Sequence, residues 1–292
     1  MIKLLFTLMM GYRLVAQYEF PLYPVHPDLP KPAPSVKEKA FGYWLGGTGE
    51  GDLPFGPNGI VVDSKGNIIV SDPVSGDFKV IRDGKIVKIL KPPKGRRLAY
   101  TAISIDDEDN IYVVDPDFIE VLKVDDDSLR VVNLYWLSGK KISNGYEFHP
   151  YTWPSYIFTI NGDVHIYGHI FGSDEDAIAS IKDGVLSLCS VDSLLRDLKE
   201  KWNVEELSIL GILRVEGNDM IYLSHTKPFV IRVKKRGKGT IDSLLFVPPY
   251  DFSRCPPFAD KKGRIYVVDG DFDWNTKTGK VFIKIYEPEK EE

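Results

Sequence analysis

The sequence predicts an all-β protein built from repeated four-stranded antiparallel units. Three observations predict it: a strand–turn–strand motif that recurs along the chain, further strands after most copies, and little of the 3.6-residue apolar periodicity of helices. The clearest copy of the motif is GNIIVSD, Gly66 to Asp72. It returns as DNIYVVD from Asp109 and GRIYVVD from Gly263, and more weakly as GDVHIYG from Gly162 and NDMIYLS from Asn218. With Ile68, Ile111, Val164, Met220 and Ile265 as equivalent positions, the steps run from 43 to 56 residues.

Each element of the unit has a local reason. A strand precedes every copy: GIVVD, AISID, YIFTI, ILRVE and PFAD. Between the two strands lie SKG, DED, NG, GN and KKG, whose Gly, Asn and Asp supply the positive-φ positions of tight hairpins. Third strands follow, from FKVIRDG in the first unit to VFIKIYE in the fifth, and four units offer a fourth, such as KIVKIL and LRVVNLYW. Ile, Val, Leu and Tyr favour strands. The first two strands of a unit are too apolar to leave either face in water, so the sheets must stack face to face. Radial stacking about an axis achieves this and hides the sheet edges. The expected fold is a β-propeller of five blades, with six as the runner-up. Unit five lacks a fourth strand, and KAFGYWLGG, Lys39 to Gly47, is expected to supply it from the N-terminal side and close the ring.

The remaining segments divide the chain. Residues 1–17 read as a signal peptide or an N-terminal strand: Leu4 to Met10 is apolar after Lys3, but Arg13 interrupts the pattern and Leu14 suits a cleavage site poorly. Residues 18–38 are proline-rich and extended, 39–287 form the propeller, and 288–292 are a charged tail. Export makes the protein secreted or periplasmic; without it the protein is cytoplasmic. No run approaches the ~20 apolar residues of a membrane helix, so no integral membrane segment is expected. DSLLRDLKEKWN, Asp192 to Asn203, is the one good helix candidate. The net charge of −5 weighs against nucleic acid as a partner. Cys189 and Cys255 form no CxxC motif and read as free thiols. The basic run Lys234 to Gly239 reads as a solvated turn.

Gly47 to Tyr286 resembles the NHL repeat and related six-bladed propellers. The likeness is carried by Phe55, the Pro57 to Gly59 turn, Asp63, Gly66-Asn67-Ile68, Val70 and Asp72 in the first unit. Unit two keeps Ile103, Asp106, Asn110, Ile111, Val113 and Asp115; unit five keeps Pro257, Asp260, Gly263, Ile265, Val267 and Asp269. The resemblance implies the architecture and a blade count of six. It leaves function open among binding modules, lyases, lactonases and scaffolds.

Propeller topology puts the turns between first and second strands on one face and the loops between second and third strands on the other. The loop face holds the unusual residues. His169 and His225 follow the second strands of adjacent units, and His149 enters unit three on the same side. Imidazoles at a channel mouth suit a divalent metal or a general base, so His149, His169 and His225 are the metal candidates. His165 reads as packing between blades. Asp72, Asp115 and Asp269 end second strands and read mainly as turn caps. Tyr151 and Trp153, with Asp251, Arg254 and Trp274 in other links, suit a peptide or sugar platform, and Asp271 and Asp273 are placed in a loop beside them. No P-loop, GxSxG, HExxH or dinucleotide fingerprint appears, and no catalytic residue is assigned. The expectation is a binding or scaffold protein for a protein, peptide or glycan, without cofactor. A metal-assisted hydrolase or lyase at the channel mouth is the alternative.

Overall fold

The computed structural model describes residues 12–25, 29–45, 54–94, 103–114, 118–136, 147–150, 157–160, 163–171, 176–182, 185–190, 209–216, 219–224, 229–233, 239–243, 257–273 and 275–288. The chain begins with strand β1 (Tyr12–Pro24), a single helical turn α1 (Pro34–Lys37), and two short strands, β2 (Phe41–Leu45) and β3 (Pro54–Phe55). The first full meander is β4 (Gly59–Val62), β5 (Ile68–Asp72), β6 (Asp77–Arg82) and β7 (Lys85–Leu90). The second is β8 (Ile103–Ile105), β9 (Ile111–Val114), β10 (Phe118–Asp125) and β11 (Ser128–Trp136). In the third, β12 (Glu147–Pro150) and β13 (Ile157–Ile160) both pair with β14 (Asp163–Phe171), followed by β15 (Asp176–Lys182) and β16 (Val185–Ser190). The fourth is β17 (Ile209–Glu216), β18 (Asp219–Ser224), β19 (Phe229–Val233) and β20 (Gly239–Ser243). The chain ends with β21 (Phe258–Ala259), β22 (Ile265–Asp273) and β23 (Thr278–Pro288).

Among the described residues these strands form five sheets. Their innermost strands touch in ring order: β4 meets β8, β8 meets β13, β13 meets β17, β17 meets β21, and β21 returns to β4. The fold is a β-propeller; three of these sheets are four-stranded and antiparallel, the third meander adds a fifth strand, and the last sheet has six with one parallel pair, β1 with β2. Burial follows from the stacking. Ile60, Ile68, Val70 and Ile81 of the first meander pack against Tyr266, Val268 and Ile283 of the last. Val61, Ile69, Phe78 and Val80, on its other side, pack against Ile103, Ile111, Val113 and Leu122 of the second. Alternate residues of one strand thus enter two cores, which is why apolar residues run consecutively in β4 and in the first part of β5.

The N-terminal strand differs from expectation. The strand beside β23 is Tyr12–Pro24, paired from Tyr12↔Pro288 to Pro21↔Lys280, not the Lys39–Gly47 segment. That segment forms β2, one place further out, and runs parallel to β1 through Leu22↔Phe41 and Pro24↔Tyr43. The reason is visible in the alternation: Ala16, Tyr18, Phe20 and Leu22 face the core between the last and first meanders. Pro21 is tolerated because β1 has a partner on only one side there. The helix candidate Asp192–Asn203, Cys255 and most of Lys234–Gly239 lie outside the described residues; Cys189 is in β16. No helix among the described residues is long and apolar enough to cross a membrane.

Candidate functional site

Among the described residues, the turn face uses one device three times. Asp63 ends the first strand of its hairpin, and its Oδ1 accepts the backbone N–H groups of Lys65 (3.0 Å) and Asn67 (2.8 Å) while Oδ2 accepts Asn67 Nδ2 (2.6 Å). Asp106 does the same with Glu108 N, Asn110 N and Asn110 Nδ2, and adds the Tyr112 hydroxyl at 2.9 Å. Asp260 takes Lys262 N, Arg264 N, Arg264 Nε at 2.6 Å and the Tyr266 hydroxyl at 3.1 Å. Each turn has its positive-φ residue at the same place: Gly66, Asp109 and Gly263. Asp109 accepts this position although it is not glycine, and its carboxylate reaches the next blade's turn, accepting Ser64 N (2.7 Å) and Ser64 Oγ (2.6 Å). Burial first, then the adjacent Asp106 carboxylate, push the Tyr112 phenol above the ordinary tyrosine range; burial and Asp260 do the same to Tyr266.

The loop end of the first meander carries a different arrangement. Asp72 and Asp77 are direct cross-strand partners, a like-charge pairing that destabilises a sheet unless a cation intervenes. Lys79, fully buried, is that cation: its Nζ lies 3.0 Å from Asp72 Oδ2 and 2.8 Å from Asp77 Oδ1, and 5.4 Å from the centre of the Phe41 ring. The network then grips the N-terminal segment. Asp72 Oδ2 accepts Gly42 N at 2.9 Å, and Ser75 Oγ donates to the same carboxylate. With its one proton so used, Ser75 Oγ accepts from the Tyr23 hydroxyl. Lys37 Nζ donates to Ser75 O at 2.9 Å. Burial first, then Asp72, push the Tyr23 phenol upward.

Among the sequence candidates, the structure brings two histidines together. His149 in β12 and His169 in β14 are direct register partners, and Asp176 in β15 lies opposite His169 on its other side. His149, His169 and Asp176 therefore occupy one row across three strands at the loop end of the third meander, and directly opposite positions share a sheet face. Asp176 was not signalled by the sequence, because a row across strands is set by register alone. Tyr151, Trp153, His225, Asp251, Arg254, Trp274 and Asp115 lie outside the described residues. His165 is held by Ser180, its cross-strand partner, with Oγ 2.6 Å from Nδ1. Asp269 pairs with Lys284 and accepts Gly270 N at 2.8 Å. Asp271 and Asp273 are not in a loop: β22 extends through them, opposite Lys280 and Thr278. The Asp273 carboxyl is held below the usual carboxylate range by the N–H of Asn275, then by Thr276. Among the described side chains no three His, Cys, Asp or Glu converge on a common point for a metal.

No protein-family model and no curated protein matches the sequence, so the NHL likeness rests on the repeat residues alone. Solved structures similar to this chain include a catalytically inactive virginiamycin B lyase from Staphylococcus aureus, at 11% identity and a TM-score of 0.38, over 81% of this chain and 68% of that one. A gluconolactonase from Xanthomonas campestris matches at 13% identity and a TM-score of 0.38, over 78% and 72%. A luciferin-regenerating enzyme matches at 11% identity and a TM-score of 0.43, over 78% and 90%. The activities those names carry belong to those proteins, and the fold assignment here rests on the sheets themselves.

Proposed function

We propose that the protein is a non-catalytic binding propeller that recognises a protein, peptide or glycan through its loop face. The observation that supports this reading is the use made of the described carboxylates. Asp63, Asp106 and Asp260 cap turns, and Asp72 and Asp77 hold Lys79 and the N-terminal segment. Groups so committed serve the architecture. Recognition then falls to the loop residues Tyr151, Trp153, Asp251, Arg254 and Trp274, aromatic and polar types that suit an exposed platform. Peptide and glycan arrays probed with the wild type, Y151A/W153A and H149A/H169A test it. The aromatic variant is expected to lose the wild-type hits while the histidine variant keeps them; the reverse pattern rejects the reading.

The row of His149, His169 and Asp176 favours a second reading, a metal-assisted hydrolase or lyase at the loop face. Two imidazoles and a carboxylate are a donor set that zinc and other first-row metals accept, and a metal held by His149, His169 and Asp176 would supply an activated water.

A further inference from the structure

We propose that the turn face holds a second, independent ligand site, which takes a small organic anion with a flat apolar body. A cavity of about 320 Å³ opens where the hairpin turns of the last, first and second meanders meet. Its floor is apolar, made by Val62, Ile105 and Phe258, and Phe258 packs against the cores on both sides of the first meander. At the lower end of the volumes that ligand sites occupy, it suits a body of one or two rings.

The polar lining is decided by counting donors and acceptors. A carboxylate offers about four lone-pair sites. Asp106 accepts four hydrogen bonds, from Glu108 N, Asn110 N, Asn110 Nδ2 and the Tyr112 hydroxyl, and is full. Asp260 accepts from Lys262 N, Arg264 N, Arg264 Nε and the Tyr266 hydroxyl, and is full as well. Asp63 accepts three, and Asp109 is taken up by Ser64. At the rim, Asp107 is bound to Lys261 at 2.6 Å, a pair that reaches from the last meander to the second across the first. The side chains of Lys65 and Lys262 have no ion-pair partner among the described residues. Each ammonium carries three donors, so what this lining lacks is an acceptor. A carboxylate or phosphonate at the rim, with its ring lying toward Phe258, meets both needs. The surrounding carboxylates oppose an anion through their field, so affinity is modest; the attraction to the two lysines is what salt screens, and binding weakens as it rises.

Three probes of one shape and different charge test the site: 2-naphthoate, 2-naphthamide and 2-naphthylmethylamine, titrated into the full chain by isothermal calorimetry at low salt. Saturable binding of 2-naphthoate is expected, at least about tenfold tighter than the amide. It should weaken by a similar factor in K65Q/K262Q, two exposed positions whose replacement leaves the melting temperature in place. H149A/H169A should bind 2-naphthoate as the wild type does, which separates this site from the loop face. Tighter binding of the amine, equal binding of all three probes, or no saturable binding of the naphthoate overturns the proposal, as does full binding by K65Q/K262Q.

Discussion

The two ends of the first meander solve the same problem in opposite ways. At the turn end, Asp63 is surrounded by neutral N–H donors of its own hairpin, within four residues of itself. At the loop end, Asp72 and Asp77 face each other across the sheet and are held by a buried lysine, while Gly42 and Lys37 of the N-terminal segment, 30 and 40 positions away, bond Asp72 and Asp77 directly. The first device is local and repeats from blade to blade. The second is non-local and joins the end of the chain to its first full blade. A local cap fails alone; a non-local network fails together with what it holds.

The largest effect should come from the N-terminal strand paired with β23. Deleting residues 1–17 removes the pairs from Tyr12↔Pro288 to Gln17↔Lys284 and bares β23 where Ile285 and Tyr286 are buried. A fall in melting temperature of more than about 10 °C, or loss of the cooperative transition, is expected by circular dichroism. An unchanged melt would show that β1 does not secure the ring. Next comes K79M, which leaves two buried carboxylates facing each other with only Lys37, 3.4 Å from Asp77, as a cation. It should cost about 3–5 kcal/mol in urea unfolding, and a change below about 1 kcal/mol would mean that the network is dispensable. At the turn end, D260A orphans the N–H groups of Lys262 and Arg264 and the Tyr266 hydroxyl, and should cost about 1–3 kcal/mol.

How much of this was legible in the sequence follows the same division. The repeat was, because alternating and continuous apolar runs bounded by Gly, Asn and Asp are local signals. So were Asp63, Asp106 and Asp260, which stand at one place in three units. The burial of Lys79 was not. Between Phe78 and Val80 it reads as the solvent side of a strand, yet a blade has no solvent side at that depth. The strand Tyr12–Pro24 was obscured by its prolines and by a possible export signal, and its partner lies at the far end of the chain. The row of His149, His169 and Asp176 depends on β12 sharing the edge of β14 with β13, a register that no local pattern encodes.

A smaller effect is read at alkaline pH, where both ends contribute, since Tyr23 at the loop end is raised as Tyr112 and Tyr266 are at the turn face. The raised phenols of Tyr112 and Tyr266 stabilise the fold in their neutral form. That contribution is full below the ordinary tyrosine value of about 10 and is lost as pH rises through the folded values. Y112F/Y266F should therefore make the alkaline limb of the stability profile less steep between about pH 10 and 12, leaving the part carried by Tyr23, with the neutral region nearly level. A limb as steep as the wild type's would assign it to other groups.

The metal content of protein purified without chelator, wild type beside H149A/H169A, decides between the proposed binding role and metal chemistry at the loop face. Far less than one divalent ion per chain is expected in both, with a melting temperature that added zinc does not move. One ion held by the wild type and lost from the double variant would contradict the binding role and make the row of His149, His169 and Asp176 the centre of an enzyme.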